Sequence, residues 1–136
     1  MRFWLIVAAA CSIVAPVQAQ DKDADGSKDH PMFSRMPGYY IEEYDAQDFA
    51  SVELDTEPSR KVEGRYWKIS YWLKEGARKV GPVQIARNYT DLMLKRGGRK
   101  LLDDVNAGGG TTVAQMPVEG KNIFLQLSVT LHDDPL

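Results

Sequence analysis

Cysteine is almost absent from this sequence, because Cys11 is the single one in 136 residues. One thiol cannot close an internal disulfide, and it cannot supply a thiolate cluster for zinc. Histidine is nearly as scarce: His30 and His132 lie far apart and match no HExxH or comparable ligand spacing. We therefore expect no metal site and no cofactor built on these residue types.

Long apolar runs are also lacking, and a helix needs roughly 20 apolar residues to cross a membrane. The most extended apolar stretch follows Arg2, and Pro16 interrupts it. A single positive charge, a short apolar core and a small-x-small ending at residues 17–19 are typical of a secretory signal peptide. We predict that residues 1–19 are removed on export, that the mature chain begins at Gln20, and that it has no transmembrane span.

Cys11 admits a second interpretation, in which it becomes the acylated first residue of a lipoprotein. That processing needs a longer apolar run before the cysteine and a larger side chain than Ala8 three residues ahead of it. Cleavage after Ala19 is the better interpretation. It leaves 117 residues (136 less 19) without any thiol, which is long enough to form a hydrophobic core without disulfides.

A strong excess of one charge is absent as well, since 17 Lys and Arg residues oppose 19 Asp and Glu residues. The charges are segregated: bases dominate residues 58–100, and acids dominate the segments on either side. A basic middle third could mark a partner-binding face, but the solvated sides of strands and a helix explain it more simply. The slight overall acidity and the expected export argue against nucleic-acid binding.

Hydrophobic periodicity predicts most of the regular structure. Alternation predicts strands over residues 39–44, 66–73, 101–105, 111–117 and 122–131, with a weaker extended piece over 49–54. Helical spacing predicts a helix over 82–96, with Pro82 at its first position and a buried stripe formed by Ile85, Tyr89, Leu92 and Met93. This order predicts an α+β fold, β-β-α-β-β-β, in which a mainly antiparallel sheet carries the helix on one face.

Residues 20–38 differ in composition from the predicted strands and helix, and we call them the N-terminal segment. Their first part is polar and charged without periodicity, and Pro31 and the Met-Pro-Gly run at 36–38 mark turns. We predict that the N-terminal segment is flexible and turn-rich. Residues 39–136 are then expected to form a single α+β domain, with no internal repeat.

Three aspartates in the N-terminal segment resemble the opening of a calcium loop. Asp21, Asp23 and Asp25 precede Gly26 in a D-x-D-x-D-G string. The twelfth position of such a loop holds a bidentate Glu, whereas this chain has Met32 there, and no helix precedes the string. The aspartates are weak candidate ligands, and we expect calcium to leave the fold unchanged.

Four further residues of the N-terminal segment are candidate functional groups: Lys28, Asp29, His30 and Arg35. Asp29 beside His30 suggests an acid–base pair, but adjacent residues rarely orient each other in that way. No nucleophile of the G-x-S-x-G type accompanies them. We therefore predict that the protein is not an enzyme. These four side chains are expected to cap and pin the N-terminal segment, with ligand binding as a second role.

Aromatic residues are dense in the predicted strands, where they occupy positions 39, 40, 44, 66, 67, 71 and 72. Packing of a half-buried sheet accounts for most of them, and a stacking platform for sugars or peptides remains an alternative. The candidate binding residues here are Arg65, Tyr66 and Trp72. Their convergence on one concave pocket would favour a small ligand, whereas a flat exposed face would favour a macromolecular partner.

Residues 26–31 (GSKDHP) and 34–41 (SRMPGYYI) resemble the start of the N-terminal domain of OmpA-type envelope proteins. The likeness continues through Ile69-Ser70-Tyr71, the loop at 74–77 and the helix at 85–89, and it covers roughly residues 21–105. In that family a C-terminal OmpA-like module binds peptidoglycan. This chain ends at Leu136 without that module, so the resemblance carries over no peptidoglycan-binding residue.

The last predicted strand has an unusually uniform face, formed by Ile123, Leu125, Leu127, Val129 and Leu131. No charge lies between Lys121 and Asp133. If the fold of the resembled domain places one more strand after this one, Ile123–Leu131 is expected to be an open edge that pairs with a partner or with a second copy.

Taken with the resemblance, these features favour a non-enzymatic, periplasmic or outer-membrane-associated module that contacts another component of a bacterial cell envelope. A small domain that binds a sugar or an anionic envelope polymer is the alternative. An envelope protein or a second copy of the chain is the expected partner.

Overall fold

A computed structural model describes residues 21–131. The predicted signal peptide, Gln20 and residues 132–136 lie outside the described residues. The elements are β1 (Tyr39–Leu54), β2 (Arg60–Leu73), α1 (Pro82–Lys95), β3 (Arg99–Asn106), β4 (Gly109–Val118) and β5 (Lys121–Thr130). The predicted α+β class and the order of elements are confirmed.

The five strands form two antiparallel sheets, whereas the sequence predicted one. β1 and β2 make a long hairpin, and β3, β4 and β5 make a three-stranded sheet in that order. The pieces predicted over 39–44 and 49–54 are a single strand, β1. Register shifts at residues 41–43 and 47–50 interrupt its alternation, and such bulges hide a strand from a period-2 pattern.

Helix α1 packs on one face of the three-stranded sheet, where Met93, Ala114 and Met116 are fully buried together. The buried residues of α1 are Pro82, Ala86, Tyr89, Thr90 and Met93. The predicted stripe is therefore partly wrong: Tyr89 and Met93 are buried, but Ile85 and Leu92 are only half-buried.

Compared with the predicted stripe, the buried side of α1 is rotated towards Ala86 and Thr90. A search for large apolar residues at helical spacing does not detect these two small residues. Ala86 lets the helix approach the sheet closely. Thr90 is buried with its hydrogen bond satisfied, because its hydroxyl donates to the carbonyl of Ala86 at 3.1 Å. The chain leaves the helix through Gly98, whose amide donates to the Met93 carbonyl at 2.8 Å. A Cβ at Gly98 would lie 2.5 Å from the Gln115 carbonyl oxygen, so only glycine fits there.

The β1–β2 hairpin buries opposite faces at its two ends. At its base, the odd-numbered Trp67 and Tyr71 contact the N-terminal segment. At its tip, the even-numbered Arg60 lies over the ring of Phe124 at 5.0 Å. Between the two ends, Gly64 has φ 150, which favours glycine, and lies beside the register shift of β1. The side chains that face the rest of the protein are even-numbered on the tip side of Gly64 and odd-numbered on the base side. The alternation therefore predicted β2 only from residue 66.

The tip of the hairpin lies against the face of the three-stranded sheet opposite α1. The side-chain amide of Gln126 accepts from the Asp55 backbone N–H at 2.8 Å and donates to the Asp55 carboxylate at 3.0 Å. Arg60 donates to Gln115, a neighbour of the helix-facing Ala114 and Met116 on β4. The sheet is thus enclosed by the helix on one side and by the hairpin tip on the other. Within residues 21–131, no helix is both long and apolar enough to span a membrane.

Candidate functional site

The N-terminal segment lies along the base of the hairpin as a set of turns at residues 25–26, 31–32 and 37–38. It lies against the edge of β1 that β2 does not occupy, at Ile41. With the segment in place, Ile41 is fully buried. The Ile41 amide donates to an Asp23 carboxylate oxygen at 2.8 Å, and its carbonyl accepts from the Ala24 amide at 2.8 Å. The segment therefore covers the edge of β1 at Ile41 with one backbone hydrogen bond and one hydrogen bond to a side chain. Its predicted flexibility stays a prediction.

Arg35 is the centre of a polar cluster that holds this segment in place. Its terminal nitrogens donate to both oxygens of Asp23 at 2.7 and 2.9 Å, and its Nε donates to Asp29 at 3.0 Å. Tyr71, on β2, donates its hydroxyl to Asp29 at 2.7 Å. We call these four residues the Arg35 cluster. Two-pronged contacts of a guanidinium with carboxylates fix orientation as well as charge.

The cluster also shifts the pKa values of Asp23, Arg35 and Tyr71. The hydrogen bond from Arg35, with help from the Ile41 amide, lowers the pKa of Asp23 to about 2. The same bond raises the pKa of Arg35. Burial, and then the hydrogen bond to Asp29, raise the pKa of Tyr71. These shifts favour a charged Asp23, a charged Arg35 and a neutral Tyr71, and each of the three side chains is hydrogen-bonded within the cluster.

His30 lies beside the cluster and packs against the aromatic rings of Phe33 and Trp67. Its Nδ1 accepts from the Met32 amide at 3.1 Å, and its ring meets that of Trp67 edge-on, with 4.5 Å between centroids. Burial lowers the pKa of His30, which favours the neutral imidazole. With Nδ1 used as an acceptor, the proton of that neutral ring is on Nε2.

The same segment also reaches α1. The ring of Phe33 lies 6.0 Å from that of Tyr89, and Asn88 donates to the Ser34 carbonyl at 3.2 Å. Burial raises the pKa of Tyr89 to about 12. The N-terminal segment thus connects the hairpin base to the helix. We call residues 21–36, with their contacts to both elements, the junction.

The remaining candidates of the N-terminal segment do not converge. Lys28 is exposed and takes no part in the Arg35 cluster. The Asp21 carboxylate accepts from the Glu75 amide at 2.6 Å, whereas Asp25 is exposed. Asp23 is occupied by Arg35. In the described part of the chain, no three His, Cys, Asp or Glu side chains are grouped so that they could hold a metal ion.

Arg65, Tyr66 and Trp72 do not form one site either. Arg65 lies on the face that contains Trp67, with its guanidinium 5.1 Å from that ring. Tyr66 and Trp72 lie on the opposite face of the hairpin, where Tyr40 pairs directly with Trp72. We call Tyr40, Tyr66 and Trp72 the aromatic face. Trp72 is 43% exposed, and the other two are half-buried.

The aromatic face lies along two paired strands of the hairpin and lines neither of the clefts described below. Polar cross-strand pairs lie between its rings: Lys68 opposite Asp45, and Ser70 opposite Glu43. Two clefts occur elsewhere in the described residues. An open one of about 310 Å³ lies between residues 56–60 and Leu101, and a smaller one of about 100 Å³ lies between α1 and β3. Neither is lined by a residue of the aromatic face.

The sequence grouped Lys28, Asp29, His30 and Arg35; the structure joins Asp29 to Arg35, places His30 beside them and leaves Lys28 outside. The other two members of the cluster are Asp23, which the sequence offered only as a weak metal ligand, and Tyr71. Tyr71 is 42 positions from its partner Asp29, and no local spacing reveals such a contact. The one available signal was its place among apolar residues of β2, since a buried phenol hydroxyl needs a hydrogen-bond partner.

Comparison with known protein families, with curated proteins and with solved structures finds no match to this chain.

Proposed function

We propose that this protein is a non-enzymatic module of the bacterial cell envelope, periplasmic or outer-membrane-associated, that contacts another envelope component through its aromatic face. The secretory features of residues 1–19 support the location. The resemblance of residues 21–105 to the N-terminal domain of OmpA-type proteins supports it as well.

The observation that carries the proposal is the separation of Tyr66 and Trp72 from Arg65 and from both clefts. A small ligand binds in a concave pocket that buries most of its surface. A surface outside the clefts that presents Trp and Tyr beside polar pairs has instead the composition of a protein–protein contact. The self-satisfied Arg35 cluster supports the non-enzymatic part, because its charged groups are bonded to each other.

The proposal is tested by site-specific photo-crosslinking of the full-length chain in intact cells. A benzoylphenylalanine replaces Tyr66 in one variant and Arg65 in the other. The two positions are adjacent on β2 and point to opposite faces, so Arg65 is a matched control. We expect Tyr66 to give a crosslink to a distinct envelope component, identified by mass spectrometry, and Arg65 to give none.

Equal crosslinking from positions 65 and 66, or none from either, would refute a partner on the aromatic face. A Trp72→Ala change should weaken the Tyr66 crosslink, because truncating an aromatic anchor at an interface costs about 2 kcal/mol or more. Circular dichroism of the variant checks that its fold is retained.

The alternative function, binding of a sugar or an anionic polymer, would use the open cleft of about 310 Å³. The cleft beside the hairpin tip is lined by Thr56, Ser59 and Arg60, which could bind hydroxyl or anionic groups. Arg60 is already engaged with Phe124 and Gln115, and the candidate rings lie elsewhere. Titration with peptidoglycan fragments, monitored by NMR, separates the two functions: shifts confined to residues 56–60 would support the alternative.

A further inference from the structure

Four strands of the described chain lie at sheet edges, since β4 alone has a neighbour on each side. An edge strand presents unpaired backbone N–H and C=O groups and accepts another strand unless it is protected. Charged side chains, bulges and covering segments are the usual protections. These four edges can therefore be compared feature by feature.

Three of the edges carry such protections. β1 has two register shifts, five acidic residues, and the cover of Ala24 at Ile41. β3 has one register shift and four charged residues. β2 is charged at five positions: Arg60, Lys61, Glu63, Arg65 and Lys68.

β5 has none of these features beyond its first residue. Its pairing with β4 runs through ten consecutive residues without a register shift, and Lys121 is its one charge. Within residues 21–131, no backbone hydrogen bond reaches β5 from outside its own sheet. The hairpin tip contacts it through the side chains of Phe124 and Gln126, which point from the face of the sheet.

The sequence of β5 is complementary to itself when two copies run antiparallel about Gln126. Leu125 then faces Leu127 of the second copy, Ile123 faces its Val129, and Phe124 faces its Ser128. Apolar side chains meet apolar ones on one face, and no like charges meet. A two-fold axis through Gln126 makes the contact closed and symmetric, as in most homodimers.

We propose that β5 pairs with β5 of a second copy of this chain to form a continuous six-stranded sheet. The pairing would cover an apolar row that is only half-buried in one copy, formed by Ile123, Leu125, Leu127 and Val129. The inference is independent of the proposed function, because the aromatic face lies on the other sheet.

Sedimentation of the purified chain over a range of concentrations tests the pairing, with Ser128→Lys as the disrupting variant. Ser128 is exposed and bonds only to the Thr111 hydroxyl in the described contacts. A lysine there would face Phe124 of the second copy, beside the guanidinium of Arg60 that covers that ring. We expect the repulsion to raise the dimer dissociation constant about tenfold or more.

The matched control is Ser51→Lys, the same change at an exposed position of the protected β1 edge. It should leave the dissociation constant unchanged. A wild-type chain that stays monomeric at all concentrations would overturn the inference. So would a dimer that Ser128→Lys does not weaken.

A cysteine variant keeps the test decisive if Ser128→Lys does not fold. In a Cys11→Ser background, Gln126→Cys places two thiols opposite each other across the axis, with Cβ atoms about 5 Å apart. Mild oxidation should link it within the dimer, whereas Ser51→Cys should stay unlinked. Linkage of both or of neither would contradict the register. In cells, Ser128→Lys should leave the Tyr66 photo-crosslink intact, which separates this interface from the proposed function.

Discussion

Arg35 shows how much of this fold depends on single side chains outside the regular elements. It joins Asp23 and Asp29, and through Asp29 it reaches Tyr71 on β2. Its side chain is 23% exposed, and that of Asp23 is 39% exposed. At such exposure solvent weakens the charge–charge attraction, so the geometry of the bonds matters more than the charges alone.

Asp23→Asn should destabilise the protein by about 1 kcal/mol, because an amide cannot accept both Arg35 nitrogens and the Ile41 amide as a carboxylate does. Asp25→Asn, at an exposed position of the same acidic string, should change stability by less than about 0.5 kcal/mol. Urea denaturation of the two variants measures the difference. Equal losses of stability in the two variants would show that the Arg35 cluster does not stabilise the folded protein.

The same contribution should depend on pH in a known direction. The folded-state pKa of Asp23, about 2, lies below its ordinary value of 3.8. The stability that its charge provides is therefore present above pH 3.8 and is lost as the pH falls towards 2. The difference in free energy of unfolding between wild type and Asp23→Asn should therefore shrink as the pH falls from 3.8 towards 2.

His30 should make the protein less stable in mild acid. Burial lowers its pKa below 6.5, so the unfolded chain binds a proton more readily than the folded one. Its contribution is complete above pH 6.5 and declines as the pH falls below that value. Thermal melts from pH 8 to pH 5 should show a smaller decline for His30→Gln than for wild type. His132→Gln, which removes the other histidine of the sequence, is the matched control.

At the scale of the elements, α1 offers a test of which face is buried. Met93→Ala should cost about 2–5 kcal/mol, because Met93 is fully buried against Ala114 and Met116. Leu92→Ala should cost about 1 kcal/mol, since Leu92 is half-buried. Denaturant melts measure both, and a larger loss for Leu92 would restore the stripe that the sequence predicted.

The sequence predicted α1 and β5 well because each carries one unbroken period. Pro82 marks the start of the helix, and the apolar residues at every second position from Ile123 to Val129 define the strand. The hairpin was predicted less well, because its buried face changes near Gly64 and its bulges break the period. Division into two sheets has no local signature, since it depends on which edges meet in space. The Arg35 cluster was half visible for the same reason: Asp29 and Arg35 are near in sequence, and Tyr71 is not.

At the scale of the whole molecule, the junction is the main connection between the hairpin base and the helix. Phe33 contributes to it on both sides, through His30 and through Tyr89. Phe33→Ala should therefore separate the unfolding of the two parts as well as destabilise them, by about 2–3 kcal/mol. Phe49→Ala, the same change at a residue that is 67% exposed, should do neither.

Two signals distinguish these outcomes. Trp67 and Trp72 both lie on β2, so tryptophan fluorescence of a chain of residues 20–136, which lacks Trp4, reports the hairpin, while circular dichroism at 222 nm follows the helix more closely. The two curves should coincide in wild type and in Phe49→Ala. Coincident curves in Phe33→Ala would mean that the hairpin and the helix are coupled by other contacts.

The position of the junction in the chain has a consequence for the time course of folding. The contact of Asp29 with Tyr71 joins residues 42 positions apart, and that of Asp21 with Glu75 joins residues 54 positions apart. Contacts between distant residues slow folding, because the loop must close before they form. Residues 21–36 therefore leave the ribosome long before the strands that hold them exist. In a pulse-labelling experiment, the Ile41 amide should become protected from hydrogen exchange only after β2 has paired.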